Sequence, residues 1–278
     1  RQKRDLRNLR KDYAEDTLLG RRRTIIAEAR PVVEFSMDAM IEKEPVTVIL
    51  SQRGWIRAAR GHLPLDQDWK FKEGDGPAFA LHAQTTDKLL VAADDGRFYT
   101  LGADKLPGAR GFGEPIRTMV DIDADAGIVA LLVNRPKGQL LLAATSGKGF
   151  AADMDELLAE TRKGRQVVNV KAGVKLAVVR PIGEGHDHVA VVGDNRKLVI
   201  FHIQELPVMA RGQGVTLQRY RDGGLADATT LKLEEGLSWT MGGDSGRVRT
   251  EKDIQMWKVA RGAAGRLPPQ GFPRDNRF

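Results

Sequence analysis

The sequence predicts a mainly β chain: a five-bladed, propeller-like array of four-stranded blades, preceded by a short helical arm. Three observations point there. An Arg/Lys-Gly pair recurs about every 50 residues, each repeat holds two short apolar runs joined by a polar turn, and the first 40 residues have neither feature.

The arm comes first in the chain. Residues 1–40 carry ten Lys/Arg against seven Asp/Glu, with Gly20 alone among glycines. Leu6, Leu9 and Tyr13 recur at helical spacing, as do Ile25, Ile26 and Ala29. Gly20 and Arg21-Arg22-Arg23 separate the two stretches, and Pro31 ends or kinks the second. The expectation is two amphipathic helical pieces that lean on something outside this chain. The chain starts at Arg1 rather than Met, so it reads as a piece of something longer, and no leader pattern follows.

Residues 41–278 read as one domain of repeats, centred on Arg60-Gly61, Arg110-Gly111, Lys163-Gly164, Arg211-Gly212 and Arg261-Gly262. The glycines are 50, 53, 48 and 50 residues apart. A second marker precedes four of them: Asp95-Gly96-Arg97, Ser146-Gly147-Lys148, Asn195-Arg196-Lys197 and Ser245-Gly246-Arg247. Each lies between apolar runs, as Leu89–Ala93 and Phe98–Leu101 flank the first, which is a hairpin pattern. A short, partly helical connection such as Asp104-Lys105-Leu106-Pro107 then leads to the Arg/Lys-Gly loop. The first copy is shorter, with Gly54 only seven residues before Gly61. One such unit cannot cover its own faces, whereas five around an axis can.

Composition narrows the function. The chain has 278 residues, 44 Lys+Arg against 37 Asp+Glu, 41% hydrophobic residues and no Cys. It can bury a sizeable core, it has no thiolate chemistry, and it fits a reducing compartment. No apolar run approaches a membrane span; Ile128–Val133 is typical. Several enzyme-like motifs fail on inspection. Asp121-Ile122-Asp123-Ala124-Asp125 opens like a Ca²⁺ loop, but Ala126 and Leu132 stand where Gly and a bidentate Glu are needed. His186-Asp187-His188 lacks a third ligand and reads as a surface turn. Thr145-Ser146-Gly147-Lys148 lacks the upstream Gly of a phosphate loop, and Gly108–Gly113 has the wrong glycine order for a dinucleotide site. There is no Gly-x-Ser-x-Gly elbow. No catalytic centre and no metal site is expected.

What remains is cationic and repeated. The first copy offers Arg57 and Arg60, and the second Arg97, Arg110 and Arg117. Lys148, Arg162, Lys163 and Arg165 belong to the third, and Arg196, Lys197, Arg211, Arg219 and Arg221 to the fourth. Arg247, Arg249, Arg261 and Arg266 complete the fifth. Around a disc these charges would line its outer edge as a curved track for a phosphate backbone. A propeller serving as a protein-interaction platform is the alternative of another class.

Glu44-Pro45-Val46-Thr47-Val48-Ile49-Leu50-Ser51, Gly54-Trp55-Ile56-Arg57-Ala58-Ala59-Arg60-Gly61-His62 and Leu106–Pro115 (Leu-Pro-Gly-Ala-Arg-Gly-Phe-Gly-Glu-Pro) resemble a known family. It is the C-terminal DNA-binding domain of bacterial type IIA topoisomerase A subunits, with topoisomerase IV the nearer branch and DNA gyrase the sister. Residues 1–40, with Arg21-Arg22-Arg23-Thr24-Ile25, are similar to the end of the breakage-reunion core. The resemblance implies a five-bladed β-pinwheel that binds and bends duplex DNA on its basic rim and captures segments for strand passage. It also implies a parent enzyme of two A and two B subunits that uses ATP and Mg²⁺ to decatenate DNA and relax supercoils. No cofactor is expected in this fragment, and the topoisomerase IV B subunit would meet the absent core. A cytoplasmic, chromosome-associated location follows, with peripheral attachment to the inner membrane a further expectation. Tyr13, Tyr99 and Tyr220 match no nucleophile motif. The gyrase alternative, which wraps DNA for negative supercoiling, carries a basic Gly-rich heptapeptide in its first blade. Here the stretch reads Arg57-Ala58-Ala59-Arg60-Gly61-His62-Leu63-Pro64, without that box.

Overall fold

The computed structural model describes residues 2–21, 37–242 and 246–278. It divides into two units, 1–40 and 41–278. In the first, α1 (Gln2–Asp12) leaves Leu6, Leu9 and the following Tyr13 exposed, so its apolar stripe is uncovered by the described residues of the unit. Thr17 Oγ1 accepts from the Gly20 amide at 3.0 Å and closes the turn after it. A 3-10 turn, Met37–Met40, ends the unit. The second helical piece expected around Ile25, Ile26 and Ala29, with Arg22 and Arg23, lies outside the described residues.

In the second unit, an antiparallel hairpin begins each of five sheets. The strands are β1 (Pro45–Ser51), β2 (Trp55–Arg60), β3 (Pro77–Gln84), β4 (Lys88–Ala93), β5 (Arg97–Gly102) and β6 (Glu114–Pro115). Then come β7 (Ile128–Val133), β8 (Gln139–Ala144), β9 (Lys148–Asp153), β10 (Arg165–Gln166), β11 (Leu176–Pro181) and β12 (His188–Gly193). The last are β13 (Leu198–His202), β14 (Val215–Thr216), β15 (Leu225–Leu231), β16 (Leu237–Thr240) and β17 (Val248–Glu251).

The turns explain the hairpin spacing. Gly54, Gly96 and Gly147 each take a φ of 84–85° and donate back three residues, to Ser51, Ala93 and Ala144. In the fourth hairpin Arg196 replaces glycine at a φ of 61° and donates to Gly193 O in the same way. A non-glycine residue there carries a strain that its side-chain contacts must offset.

Three sheets have four strands, in the orders β3-β1-β2-β6, β10-β5-β4-β7 and β11-β8-β9-β14. Their outer strands are exchanged between modules. β6 follows the second hairpin but pairs with β2 of the first, Ile56 opposite Glu114. Likewise β10 returns to β5 and β14 to β9. The strands β3, β7, β11 and β15 lie against one another in succession, so they form the inner side of the arc and the exchanged strands its perimeter. Four strands per blade does not hold for the last two. The fourth sheet is β13-β12-β15, supplemented only by single bridges of Leu198 to Arg266 and Ile200 to Lys258. The fifth is the bare β16-β17 hairpin. For the fifth sheet the exchange accounts for this, since among the described residues no further module supplies β17 with a partner; the fourth receives the following module only as those two bridges.

The core sits between blades rather than within one. Leu89 and Val91 pack with Val48, Leu50 and Ile56 of the first blade, whereas Leu90 and Ala92 pack with Leu140, Leu142 and Phe150 of the third. Alternate residues of a strand point to opposite faces, so a strand buried on both faces reads as an unbroken apolar run. Leu141, Val189, Val191 and Phe201 join the third blade to the fourth. Val192, Leu198, Leu237, Trp239, Trp257 and Phe272 join the fourth to the fifth.

Candidate nucleic-acid interface

Four loops form the perimeter, at residues 107–113, 158–164, 207–214 and 258–265. Each follows a short 3-10 turn, for example Ala103–Lys105 before the first. In two of them a proline carbonyl anchors the outgoing limb: Ala58 N donates to Pro107 O and Ala151 N to Pro207 O, both at 2.9 Å. The return limb presses a glycine onto the preceding blade. A Cβ on Gly113 would stand 2.1 Å from Ile56 O, and one on Gly164 2.5 Å from Phe98 O. Gly214 and Gly265 meet Gly149 O and Leu198 O at 2.1 and 2.5 Å, and all four glycines have positive φ. Only glycine allows this approach.

These four glycines, 51, 50 and 51 residues apart, are the true structural repeat. The Arg/Lys-Gly pairs are not in one register with them. Gly111 and Gly61 have nothing within 4 Å of a Cβ, and only Gly164 serves both roles. The signal available in the sequence was the second glycine of Gly111-Phe112-Gly113 and Gly212-Gln213-Gly214. In the first module, which no blade precedes among the described residues, the segment after Gly61 folds back. Leu63 N donates to Thr47 Oγ1 at 2.9 Å and His62 Nε2 lies 3.0 Å from Ala83 O.

The expected cations divide into two groups. Arg60, Arg110, Lys163, Lys197, Arg219 and Arg247 are exposed, and their side chains bond to no described residue. Arg211 is exposed too, leaning on Asn169 Oδ1 at 3.4 Å. Arg110, Lys163 and Arg211 stand on consecutive perimeter loops. The other group is engaged by the protein. Arg57 is 5% exposed and does not face outward as expected; it donates to Gly111 O at 2.8 Å and Lys70 O at 2.7 Å. Burial pulls its pKa down from the usual Arg value. Arg97 holds Lys163 O at 2.6 Å, thereby fixing the next loop inward. Arg196 donates to Pro273 O at 2.9 Å, Asn276 Oδ1 and Phe272 O, and Arg261 to Thr216 O at 2.8 Å. Lys148 reaches Gln213 Oε1 at 3.4 Å.

Arg117, Arg162 and Arg165 are exposed yet committed. Arg117 donates to the carbonyls of Ile122, Asp123 and Ala126, which turns the Asp121–Asp125 stretch into a guanidinium-bound turn. Arg162 bonds Thr118 O at 2.7 Å and pairs with Asp121 at 3.4 Å, and Arg165 bonds Glu156 O. The common cause is that wide loops leave carbonyls facing sideways, and a guanidinium with five N–H donors can satisfy several at once. Buried Tyr99 donates to Asp121 O at 3.3 Å, and burial pushes its pKa up. Among the described residues, no three His, Asp or Glu side chains come together to hold a cation.

No family model matches the chain. It is 40% identical over 279 residues to the A subunit of DNA topoisomerase 4 from Rickettsia bellii, covering 99% of this chain and 37% of that protein. With the A subunit of DNA topoisomerase 4 from Caulobacter vibrioides the identity is 43% over 257 residues, 92% of this chain and 33% of that one. The chain thus spans about a third of the length of the curated relatives it matches. Among solved structures, the E. coli ParC C-terminal domain superposes with a TM-score of 0.72 at 25% identity, covering 83% of this chain and 96% of that one. The DNA gyrase A C-terminal domain shares the fold, with a TM-score of 0.58 at 16% identity over 80% of this chain and 76% of that one.

Proposed function

This chain belongs to the family of topoisomerase IV A subunits, and from that premise we propose that its residues 41–278 bind duplex DNA along the perimeter loops and bend it. Residues 1–40 are the arm that leads out of the breakage-reunion core of the full-length protein. The observation that carries this reading is the row of exposed cations on successive perimeter loops: the unpartnered Arg110 and Lys163, and Arg211 with its one long bond to Asn169, with Arg60, Lys197, Arg219 and Arg247 beside them. A phosphate backbone needs charges spaced along a path and loops whose backbone allows close approach, without any base-reading helix. The engaged cations act indirectly. Arg57, Arg97 and Lys148 brace the loops, while Arg117, Arg162 and Arg165 present partly screened charge.

In the whole enzyme the domain captures and orients a DNA segment for strand passage. That enzyme is an A2B2 assembly with the topoisomerase IV B subunit, it uses ATP and Mg²⁺, and it works on the chromosome in the cytoplasm. Bending rather than wrapping is favoured by the first blade. The Arg60–Leu63 stretch, where a wrapping relative carries its basic box, is tied down on its own sheet through Thr47 and Ala83.

Titration of a labelled duplex at several salt concentrations tests the proposal. Affinity should fall steeply with salt, and Arg110→Glu with Lys163→Glu and Arg211→Glu should flatten the log–log slope by about one per cation. Unchanged affinity in the triple variant would sink it. Ligation of a nicked circle over the bound domain, followed by linking-number measurement, separates bending from wrapping.

A further inference from the structure

One perimeter loop differs from the other three. Of the stretches 107–113, 158–164, 207–214 and 258–265, only the first contains an aromatic residue, Phe112, two positions after Arg110. Phe112 is 43% exposed. Beside it opens a cleft of about 430 Å³, whose other wall is the folded-back segment of the first module carrying Trp69. Arg57 ties the two walls together, donating to Lys70 O at 2.7 Å on one and Gly111 O at 2.8 Å on the other. The Arg110 guanidinium, also lining the cleft, is exposed and has no acceptor among the described residues.

A cleft lined by Trp69 and by the exposed Phe112, with a free guanidinium among its lining residues, matches a planar ring carrying an anionic group. We propose that this cleft holds a single unstacked nucleotide, with its base against Trp69 and Phe112 and its phosphate on Arg110. The inference rests on the DNA-binding reading of the perimeter and adds to it a site for an unpaired base. Stacking on aromatic side chains needs no particular base, since every base offers a π-face. A domain with this slot at one end of its cationic track prefers DNA that is already kinked or bulged, because the unstacking has been done beforehand. Chemically, a free mononucleotide carries the same features as a base within a strand, so both belong in the test.

Affinities of the 278-residue chain are compared for a duplex with one extrahelical 2-aminopurine and for the same duplex fully paired. The bulged duplex should bind about tenfold more tightly at equal salt, with quenched 2-aminopurine fluorescence. Phe112→Ala removes an exposed ring and Trp69→Leu keeps an apolar filling; each should erase most of that ratio and leave paired-duplex affinity within about twofold. Displacement of the bulged probe by dAMP marks free nucleotide as a ligand, and resistance to dAMP marks the strand-borne base as the occupant. Equal binding of bulged and paired duplexes without quenching overturns the slot. Paired-duplex affinity that ignores salt overturns the perimeter reading instead, so the two failures are distinguishable.

Discussion

The first three blades and the last two have the same hairpins but different edges. β2, β5 and β9 are each covered on the outside by a strand from the following module, whereas β13 receives two single bridges and β17 no strand among the described residues. Instead, the fourth and fifth blades are capped by side chains. Trp239, Phe272 and Phe278 stack edge to face at 5.4 Å, Trp257 Nε1 donates to Leu267 O, and Phe278 N donates to Asp227. Arg196, set at the turn of the fourth hairpin, holds this C-terminal stretch through Phe272, Pro273 and Asn276. In a linear array each repeat is stabilised by its neighbours, so a blade that receives no further strand needs a different closure. A backbone ladder closes the early blades, and an aromatic cluster pinned by one guanidinium closes the late ones.

Breaking a ladder should have the largest effect. Gly214→Val puts a Cβ 2.1 Å from Gly149 O at a φ of 78°, and should cost roughly 3 kcal/mol or more in urea unfolding. Gly242→Ala, in the fifth hairpin with nothing within 4 Å, should stay within about 0.5 kcal/mol. Next comes the core. Leu142→Ala, at full burial in the third blade, should cost about 2–5 kcal/mol, while Val248→Ala, 66% exposed on β17, should cost under about 0.5 kcal/mol. A large Val248 effect would mean that β17 is covered after all.

Arg196→Ala sharpens the contrast between bracing and binding. It should lower the stability of the last two blades by about 1–3 kcal/mol, read by amide exchange in β13 and β16, with little change in duplex affinity. Arg211→Glu should do the opposite. The smallest effect is in acid. The Asp187 carboxylate, bonded by the His188 ring at 2.8 Å and opposed by some burial, then bonded by the Leu233 amide at 2.9 Å, lies below the usual Asp range. Its stabilisation is present above the unfolded Asp pKa and fades as pH falls through the lower folded value. With the side chain 46% exposed this is a fraction of a kcal/mol, so amides between the fourth and fifth blades should begin to exchange faster on acidification.

The runs and turns within a module were legible because they follow from local rules. Leu89–Ala93 reads as a strand buried on both faces, and Gly54, Gly96 and Gly147 as hairpin turns. The module count followed from the spacing. The strand exchange did not, since Ile56 finds Glu114 across more than a blade's length of chain and β6 is only two residues long. The same distance hid Arg57, whose acceptors lie 13 and 54 residues away. A basic side chain looks alike in sequence whether it meets solvent or a loop carbonyl. Repetition therefore pointed to a row of cations but overcounted the free ones, with Arg97, Arg196 and Arg261 the clearest cases.

The exchanged strands also bear on how the chain is made. As it leaves the ribosome from its N-terminus, the β1–β2 hairpin folds with an open outer edge until residues 114 and 115 emerge to cover Trp55 and Ile56. The β5 edge then waits for residues 165 and 166, and the β9 edge for 215 and 216. At any moment during synthesis a single unfinished edge travels along the nascent chain, and a stalled or truncated product is left with that edge exposed to pairing with its neighbours.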